Sequence, residues 1–518
     1  MKLSGAQYFS ILAVFLVLVF LPILSVDQPP LADYPNHLAR VHVWLMHGSS
    51  DAVPFVEPVW ALQPNMVFEL VTSLLSLFMP LEQAGRGFVL LTVVSLVVGP
   101  AILGRSLWGT FSVWSFLPLL LVYNRLFFWG FLGYLFSLGV ALGLSSLWVR
   151  QVRNEKRIMW FFTASLASFV VLGFHLYAFA FLALVATILT MRSVVNLPAL
   201  GKKWFFEIFF RLAPLAVPLP LFAFWAPVFD SEHSIKWGPF LGKITSFGGL
   251  FVGPNAQVDL ILGGLVVVCL AIGVYKKALM PFADKWLFGG LLILMLLHLA
   301  MPTQILSSYG ADQRLPIAIA LLGAAVTPPP RFRELRLSVV LMIFLLMVLT
   351  FRMFFVRFDW SIYQRIHNEL MQVYQQLPRR SNVLTLVGTT NPHGLPRIPL
   401  TEHSGFAVVA RSVFWPGLFA YPIHGAQTIS FMNPASIPSS IASAQKIPLS
   451  ILNDVIAGRQ IYQNFDLRDI SPCYQFIIVT REDGLAEELP NDAVFGTIRY
   501  RGENVAIYAR QQVGVCPW

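Results

Sequence analysis

Charge is scarce in this 518-residue chain: Asp, Glu, Lys and Arg together make up 12% of it, about half the roughly 25% of an ordinary soluble domain. That shortage excludes a soluble globule. With 56% hydrophobic residues and a mean hydropathy of +0.68, the chain reads as an integral membrane protein. Cysteine is also scarce, and three residues without paired spacing exclude a disulfide-rich scaffold and a zinc or redox motif. Cys269 lies in an apolar run. Cys473 and Cys516 share the last segment, where a bridge in an oxidising compartment and two buried thiols are both open readings. No fixed Gly/Pro period signals a solenoid, and no low-complexity segment stands out.

The formal charge of +10 does not point to nucleic acid, because the Lys and Arg residues fall in short clusters between apolar runs. The clusters "RQVRNEKR" at 150–157, "KKWFFEIFFR" at 202–211, "KK" at 276–277 and "RFRELR" at 331–336 are expected on the cytoplasmic side. Between them, apolar windows place spans at 8–26, 88–104, 110–122, 134–149, 159–173, 176–191, 212–228, 257–275, 287–301, 315–328 and 338–356. These make about eleven crossings with a cytoplasmic amino terminus. Lys2 and the apolar run after it have the look of a secretory signal, but "LPILSVDQPP" lacks a small-x-small cleavage pattern, so the segment reads as a retained first span. The stretch "PNMVFELVTSLLSLFMP" at 64–80, with Pro boundaries and Glu69, suits a helix lying along the outer interface.

After residue 357 the texture changes. "SIYQRIHNELMQVYQQL" reads as an amphipathic helix, and "VLTLV", "QFIIVT", "AVFGTIRY" and "NVAIYAR" read as short strands. The expected architecture is therefore an α-helical polytopic membrane domain over 1–356, with a first outer loop at 27–87, followed by an α/β domain over 357–518. An odd number of crossings places that domain outside.

Polar residues gather on the same expected face. In "DYPNHLARVHVW", Pro35 favours an extended Tyr34, Asn36 is expected to cap a helix starting at His37, and Asp33 sits just before it. His37, Arg40 and Trp44 share a face of that helix, and His42 points away. To these the topology adds Tyr123, Asn124, Arg125 and Tyr134 in "YNRLFFWGFLGY", His175 in "GFHLYAF", His233 and Lys236 in "DSEHSIKWG", and Asp312 and Arg314 in "SYGADQRLP". Singly, each has a bland account as a cap, a snorkelling cation or a solvated loop charge. Together they describe a polar cavity with a carboxylate and several cations, the chemistry of an anionic lipid-linked ligand.

On these residues the chain resembles the GT-C class of integral membrane glycosyltransferases, which includes protein mannosyltransferases and aminoarabinose transferases. The likeness covers most of residues 1–356: an early Asp in a long first outer loop, the "PNMVFELVTSLL" segment before an Arg-led second span, an aromatic second outer loop and a late outer arginine. "DYPNHLAR", "FFWGFLGYLFSLG", "HLYAF" and "DQRLP", followed by a tail with "ARSVFWPGLFAYP", are similar to a group of GT-C-like bacterial membrane proteins.

The resemblance implies a GT-C-like fold in the bacterial inner membrane, with the tail periplasmic. It also implies inverting transfer of a sugar from a polyprenyl-phosphate donor to an envelope glycan, lipid or protein acceptor. In that class the first-loop acid takes the acceptor's proton, and Asp33 matches its position. Arg314 is the first choice for the donor phosphate. His175, Arg125 and Lys236 stand behind it, His37 and Arg40 support Asp33, and Tyr134 and Asp312 complete the substrate-binding set. No residue is assigned to a metal, and a divalent cation stays an option. One departure is that "YNRLFFWGFLGY" carries no second acid, which weakens a two-carboxylate or metal-bound version; Asp230, Glu232 and Asp312 are the substitutes in view. Two rivals stay open: a lipid or solute transporter, disfavoured because no repeated halves are visible, and a noncatalytic envelope-assembly scaffold on the same fold.

Overall fold

The computed structural model describes residues 4–510, apart from 62, 150–155, 196–203, 226–234, 254, 281–282, 306–307, 391–397, 422–426, 434–436, 438–443, 445, 485–487 and 494–495. Asp230, Glu232, His233, His393, His424 and Cys516 lie outside the described residues.

Helix α1 (Gly5–Leu24) starts on a capping box between Ser4 and Gln7. The loop after it, expected to be the first outer one, carries α2 (Tyr34–Met46), strand β1 (Val56–Pro58) and α3 (Val67–Leu75). The segment expected along the interface is thus a nine-residue helix with mixed polarity. Helix α4 (Leu81–Trp108) begins seven residues before the expected span, because its polar first turn also helps close the loop.

The remaining membrane-domain helices are α5 (Arg125–Trp129), α6 (Leu132–Val149), α7 (Arg157–Phe174), α8 (Leu176–Val195), α9 (Trp204–Ala216), α10 (Pro218–Trp225), α11 (Phe240–Thr245), α12 (Ala256–Tyr275), α13 (Lys285–Ala300), α14 (Leu315–Val326) and α15 (Leu335–Gln376). Among the described residues each expected crossing overlaps a helical segment, and eight helices are by length and composition apolar enough to span a membrane. The crossing expected at 110–122 is instead a 3-10 helix, Val113–Leu121, with Pro118 inside it. It runs beside α1: Tyr8 donates to the Ser115 carbonyl at 3.2 Å and Tyr123 to the Val19 carbonyl at 2.7 Å.

Contacts between loops place two of the basic clusters at one end of the bundle. Trp114, near the amino end of α1, donates to the Ala278 carbonyl at 2.9 Å, and Ser338 donates to the same oxygen at 3.1 Å. The "KK" and "RFRELR" loops therefore share an end with the start of α1. Asp33, the α5 loop and Arg314 meet at the other.

The densest helix contact is between α4 and α6, where Gly99 and Gly139 let the two backbones touch and a methyl group at either would collide with the facing main chain. Buried ion pairs join other elements, such as Arg352 on α15 with Asp259 on α12 at 2.9 Å.

Residues 335–376 form one 42-residue helix, whereas the sequence suggests a span at 338–356 and a separate amphipathic helix after it. The stretch contains no Gly or Pro, so nothing breaks the backbone hydrogen bonding. Short strands β2 (Ile235–Lys236), β3 (Gln304–Ile305) and β4 (Ser308–Tyr309) form an antiparallel sheet near Arg314.

In the C-terminal region, β5 (Val383–Thr389), α16 (Gly405–Arg411), β6 (Ile429–Phe431), β7 (Ile447–Pro448), α17 (Leu449–Ile456), α18 (Leu467–Ile470), β8 (Phe476–Arg481), β9 (Asp492–Ala493), β10 (Gly496–Arg501) and β11 (Val505–Ala509) follow. Six strands order as β7-β5-β8-β11-β10-β9. β5 pairs in parallel with both neighbours and is buried along its whole length, as a parallel strand covered on both faces should be. β6 leaves this sheet and pairs with β1 of the first outer loop, Val56 opposite Phe431. The tail is thereby fastened to the membrane domain. Cys473 is disulfide-bonded, and Cys269 is buried and free.

Candidate active site

The first outer loop turns into α2 at Asp33. The helix starts at Tyr34, with Pro35 in its first turn, so the expectation of an Asn36 cap before His37 is corrected. Proline is tolerated there because first-turn amides have no intrahelical acceptor. Asp33 occupies the cap position, yet its side chain makes no capping hydrogen bond, which leaves the carboxylate for other work.

Its backbone is clamped by the second outer loop. The amides of Ala32 and Asp33 donate to the carbonyls of Phe128 and Trp129 at 2.9 and 3.0 Å. Gly130 follows with φ of +87°, and a Cβ there would sit 2.8 Å from the Asp33 nitrogen. Glycine is required by conformation and by space.

Asp33 is half-buried. Burial pushes its carboxyl up to about 7, against the lowering pull of Arg40, then Lys446, then Arg314. Three cations from three parts of the chain therefore lie within electrostatic reach of this acid. Arg40 is committed: it pairs with Glu69 on α3 at 2.5 Å, bonds Gln427 of the tail, and contacts His37 Nδ1 at 2.6 Å. His37 stacks on Phe68 with ring centroids 5.0 Å apart, and burial, followed by the Arg40 charge, drives its imidazole well below the usual histidine range. The same ring bonds the Gly130 backbone, so His37 and Arg40 fix the loop that carries Asp33. His42 points elsewhere as expected and meets Ser412 at 2.9 Å.

Arg314 sits between β4 and α14, 8% exposed, in an aromatic cage. Its guanidinium lies 4.7 Å from the Phe131 ring centroid, 4.8 Å from Tyr177 and 5.9 Å from Tyr134. Nη1 donates to the Tyr309 carbonyl at 2.7 Å, Tyr134 donates to the Arg314 carbonyl at 2.7 Å, and Nε is buried with no hydrogen-bond partner. An unsatisfied guanidinium edge is an anion-binding group in waiting. His175 packs 5.3 Å from Tyr134; burial and then the Arg314 charge push it well below the usual range, and its Nδ1 accepts from the Tyr177 amide at 3.2 Å. Neutral and so engaged, it belongs to the wall of the cage.

Asp312 pairs with Lys243 at 3.4 Å and accepts from Thr303 at 2.9 Å, which anchors the turn before Arg314. Arg125 opens α5 over Gly249, within electrostatic reach of Tyr309. Lys236 lies on β2 with an exposed side chain, and its carbonyl accepts from the Thr303 amide at 2.9 Å. The structure thus brings Asp33, His37, Arg40, Arg314, Tyr134 and His175 together, with Asp312 behind them and Arg125 and Lys236 around the β4 hairpin.

Sequence reasoning missed four charged residues here: Glu69 as the partner of Arg40, Lys243 as that of Asp312, Lys446, and above all Glu402. Glu402 is 8% exposed and accepts from Asn36 Nδ2 at 2.8 Å. Burial, and next the charge of Asp33, push it up to about 8. Its only sequence signal is a lone acid in "LTEHSGF", next to His403, which instead bonds His367 at 3.1 Å and Tyr374 at 3.0 Å. Among the described residues no group of three or more His, Cys, Asp or Glu side chains could hold a metal ion.

Two crystal structures of ArnT from Cupriavidus metallidurans, one bound to undecaprenyl phosphate and one in the apo state, are similar to this chain over 98% of its length and 98% of theirs. Identity is 12% to each, and the TM-scores are 0.48 and 0.45. Neither a family model nor a curated protein sequence matches the chain.

Proposed function

We propose that this membrane protein transfers a sugar from a polyprenyl-phosphate donor to a hydroxyl-bearing envelope acceptor on the extracytoplasmic face, in the bacterial inner membrane, with inversion. The observation that carries the reading is the meeting of Asp33, a carboxyl tuned to about 7 and not used as a cap, with a buried Arg314 whose Nε lacks a partner. The resemblance in the first-loop and "DQRLP" segments points to the same donor class. The disulfide at Cys473 supports an oxidising compartment for the tail.

In this reaction the acceptor oxygen forms a bond to the anomeric carbon while the carbon–oxygen bond to the donor phosphate breaks. Asp33 takes the hydroxyl proton, which requires an approach of about 2.6 to 3.2 Å. The departing polyprenyl phosphate keeps the bonding electrons, and Arg314 stabilises the charge as it develops. Tyr134, Tyr177 and Phe131 hold the guanidinium in place, and Asp312, tied to Lys243, fixes the turn before it. Arg125 and Lys236 guide the anionic headgroup from the hairpin side.

The test is Asp33→Asn in purified full-length protein, assayed with a polyprenyl-phosphate sugar. Transfer is expected to fall by about 10²- to 10⁴-fold while abundance and polyprenyl-phosphate binding hold. In wild type, transfer should rise with pH through about 7, since only the ionised carboxyl accepts a proton. Wild-type-like transfer by the variant would remove Asp33 as the base, and absent transfer by the wild-type protein would leave the scaffold reading in its place.

A further inference from the structure

The C-terminal domain does more than cover the first outer loop. Asn36, three residues beyond Asp33, donates to Glu402 Oε2 and to the Gly417 carbonyl, both at 2.8 Å, and accepts from the Phe419 amide at 2.8 Å. Gly405 presses its bare backbone on Pro35 and Asn36, where any Cβ would collide with the Pro35 carbonyl. Together these contacts carry a buried carboxyl group to the Asp33 loop from a segment that the chain reaches 366 residues after Asn36.

We infer that Glu402 is the second carboxyl group of the Asp33 centre and holds a proton there while Asp33 is ionised. This makes it a positioning and charge-setting residue, and the inference rests on the transferase reading above.

The surroundings are asymmetric in a way that separates the two acids. Asp33 is faced by Arg40 from α2, Arg314 from the turn before α14 and Lys446 from the tail. Glu402 is faced by Asn36 and Asp33 from the first loop and by Lys446. Arg40 is itself neutralised by Glu69, and His403 turns away to His367 and Tyr374. More positive charge thus bears on Asp33, which ionises first. Glu402, more enclosed and next to the new negative charge, keeps its proton until higher pH, in line with values of about 7 and about 8. A neutral Glu402 has two consequences. It leaves one net negative charge, not two, near the phosphate held by Arg314, and it keeps a protonated carboxyl within electrostatic reach of the ionised base. The acid lacking in the second outer loop is provided from the tail.

Infrared-monitored pH titration of full-length protein in lipid vesicles, without substrate, tests the coupling directly. Glu402→Gln keeps an acceptor for Asn36 and should delete the carboxyl component that titrates near 8 while preserving the one near 7. Asp33→Asn, which leaves Glu402 untouched, should shift the Glu402 component down by about one pH unit, because the like charge is gone. An unmoved Glu402 component in Asp33→Asn overturns the inference. So does a Glu402 component that ionises before Asp33. Binding of polyprenyl phosphate adds a second readout: wild-type affinity should weaken as pH rises through about 8, and Glu402→Gln should resist that loss. Identical pH dependence in the two proteins also overturns it. Failure of the transferase reading would appear separately, as absent sugar transfer alongside an intact titration coupling.

Discussion

Arg40 and Glu69 are 2% and 0% exposed and lie 2.5 Å apart. A pair this enclosed gains little over an apolar pair of the same volume, but removing one partner strands the other charge away from water. Glu69→Ala is therefore expected to cost about 3 to 5 kcal/mol, read as a fall in unfolding midpoint in detergent, and Arg40→Met added to it should restore most of that loss. The double variant should still shift the acid limb of transfer above about 7, because Arg40 is the strongest of the cations lowering Asp33. Sign follows from charge: losing a nearby cation disfavours the carboxylate, so a smaller fraction of Asp33 is ionised at neutral pH. At this scale the sequence made half the site legible. Asp33, Arg40 and Arg314 stood out because an ionisable residue beside an apolar run has few bland explanations. Glu69, Lys243, Lys446 and Glu402 did not, since each acquires its role from a partner distant in the chain, and a lone acid in a loop carries no sign of what will cover it.

Among elements, the junction of the two outer loops sets the position of the base. Asp33 is held by backbone bonds to Phe128 and Trp129, and the chain can turn away at once only because Gly130 adopts φ of +87°. Gly130→Ala combines a disfavoured backbone with a Cβ 2.8 Å from the Asp33 nitrogen. It should destabilise the fold by about 1 to 3 kcal/mol and depress kcat more than donor affinity, because it displaces the base while Arg314 stays caged. A measured loss confined to donor binding would contradict that placement of the base. The helices themselves were readable from apolar run length, and α3 from its Pro boundaries and mixed polarity. Two features were not. The segment at 113–121 is a 3-10 helix, whose geometry an apolar run does not reveal, and α15 continues past residue 356 because amphipathic and apolar stretches join without a breaker.

Over the whole molecule, one continuous helix and one shared β pair couple the tail to the membrane domain. α15 runs from the end holding the basic loops to the tail, where His367 and Tyr374 bond His403, and β1 pairs with β6 across the first outer loop. With a rise of about 1.5 Å per residue, 42 residues reach roughly 63 Å, twice the thickness of a hydrocarbon core. Such a strut can carry the C-terminal sheet well clear of the bilayer while β6 and Glu402 return to the loop at the membrane surface. Two of the basic loops and the Asp33 centre then lie at opposite ends of the bundle, and under the proposed orientation the centre faces outward. In a Cys269→Ala background, Lys446→Cys should react in intact cells with a membrane-impermeant maleimide, because Lys446 is exposed and close to Asp33. Lys276→Cys, equally exposed but in the loop beside the start of α1, should react only after the membrane is opened. The reverse pattern would put Asp33 in the cytoplasm, where a donor presented on the outer leaflet cannot reach it, and would remove the proposed reaction together with the coupling of Glu402 to it.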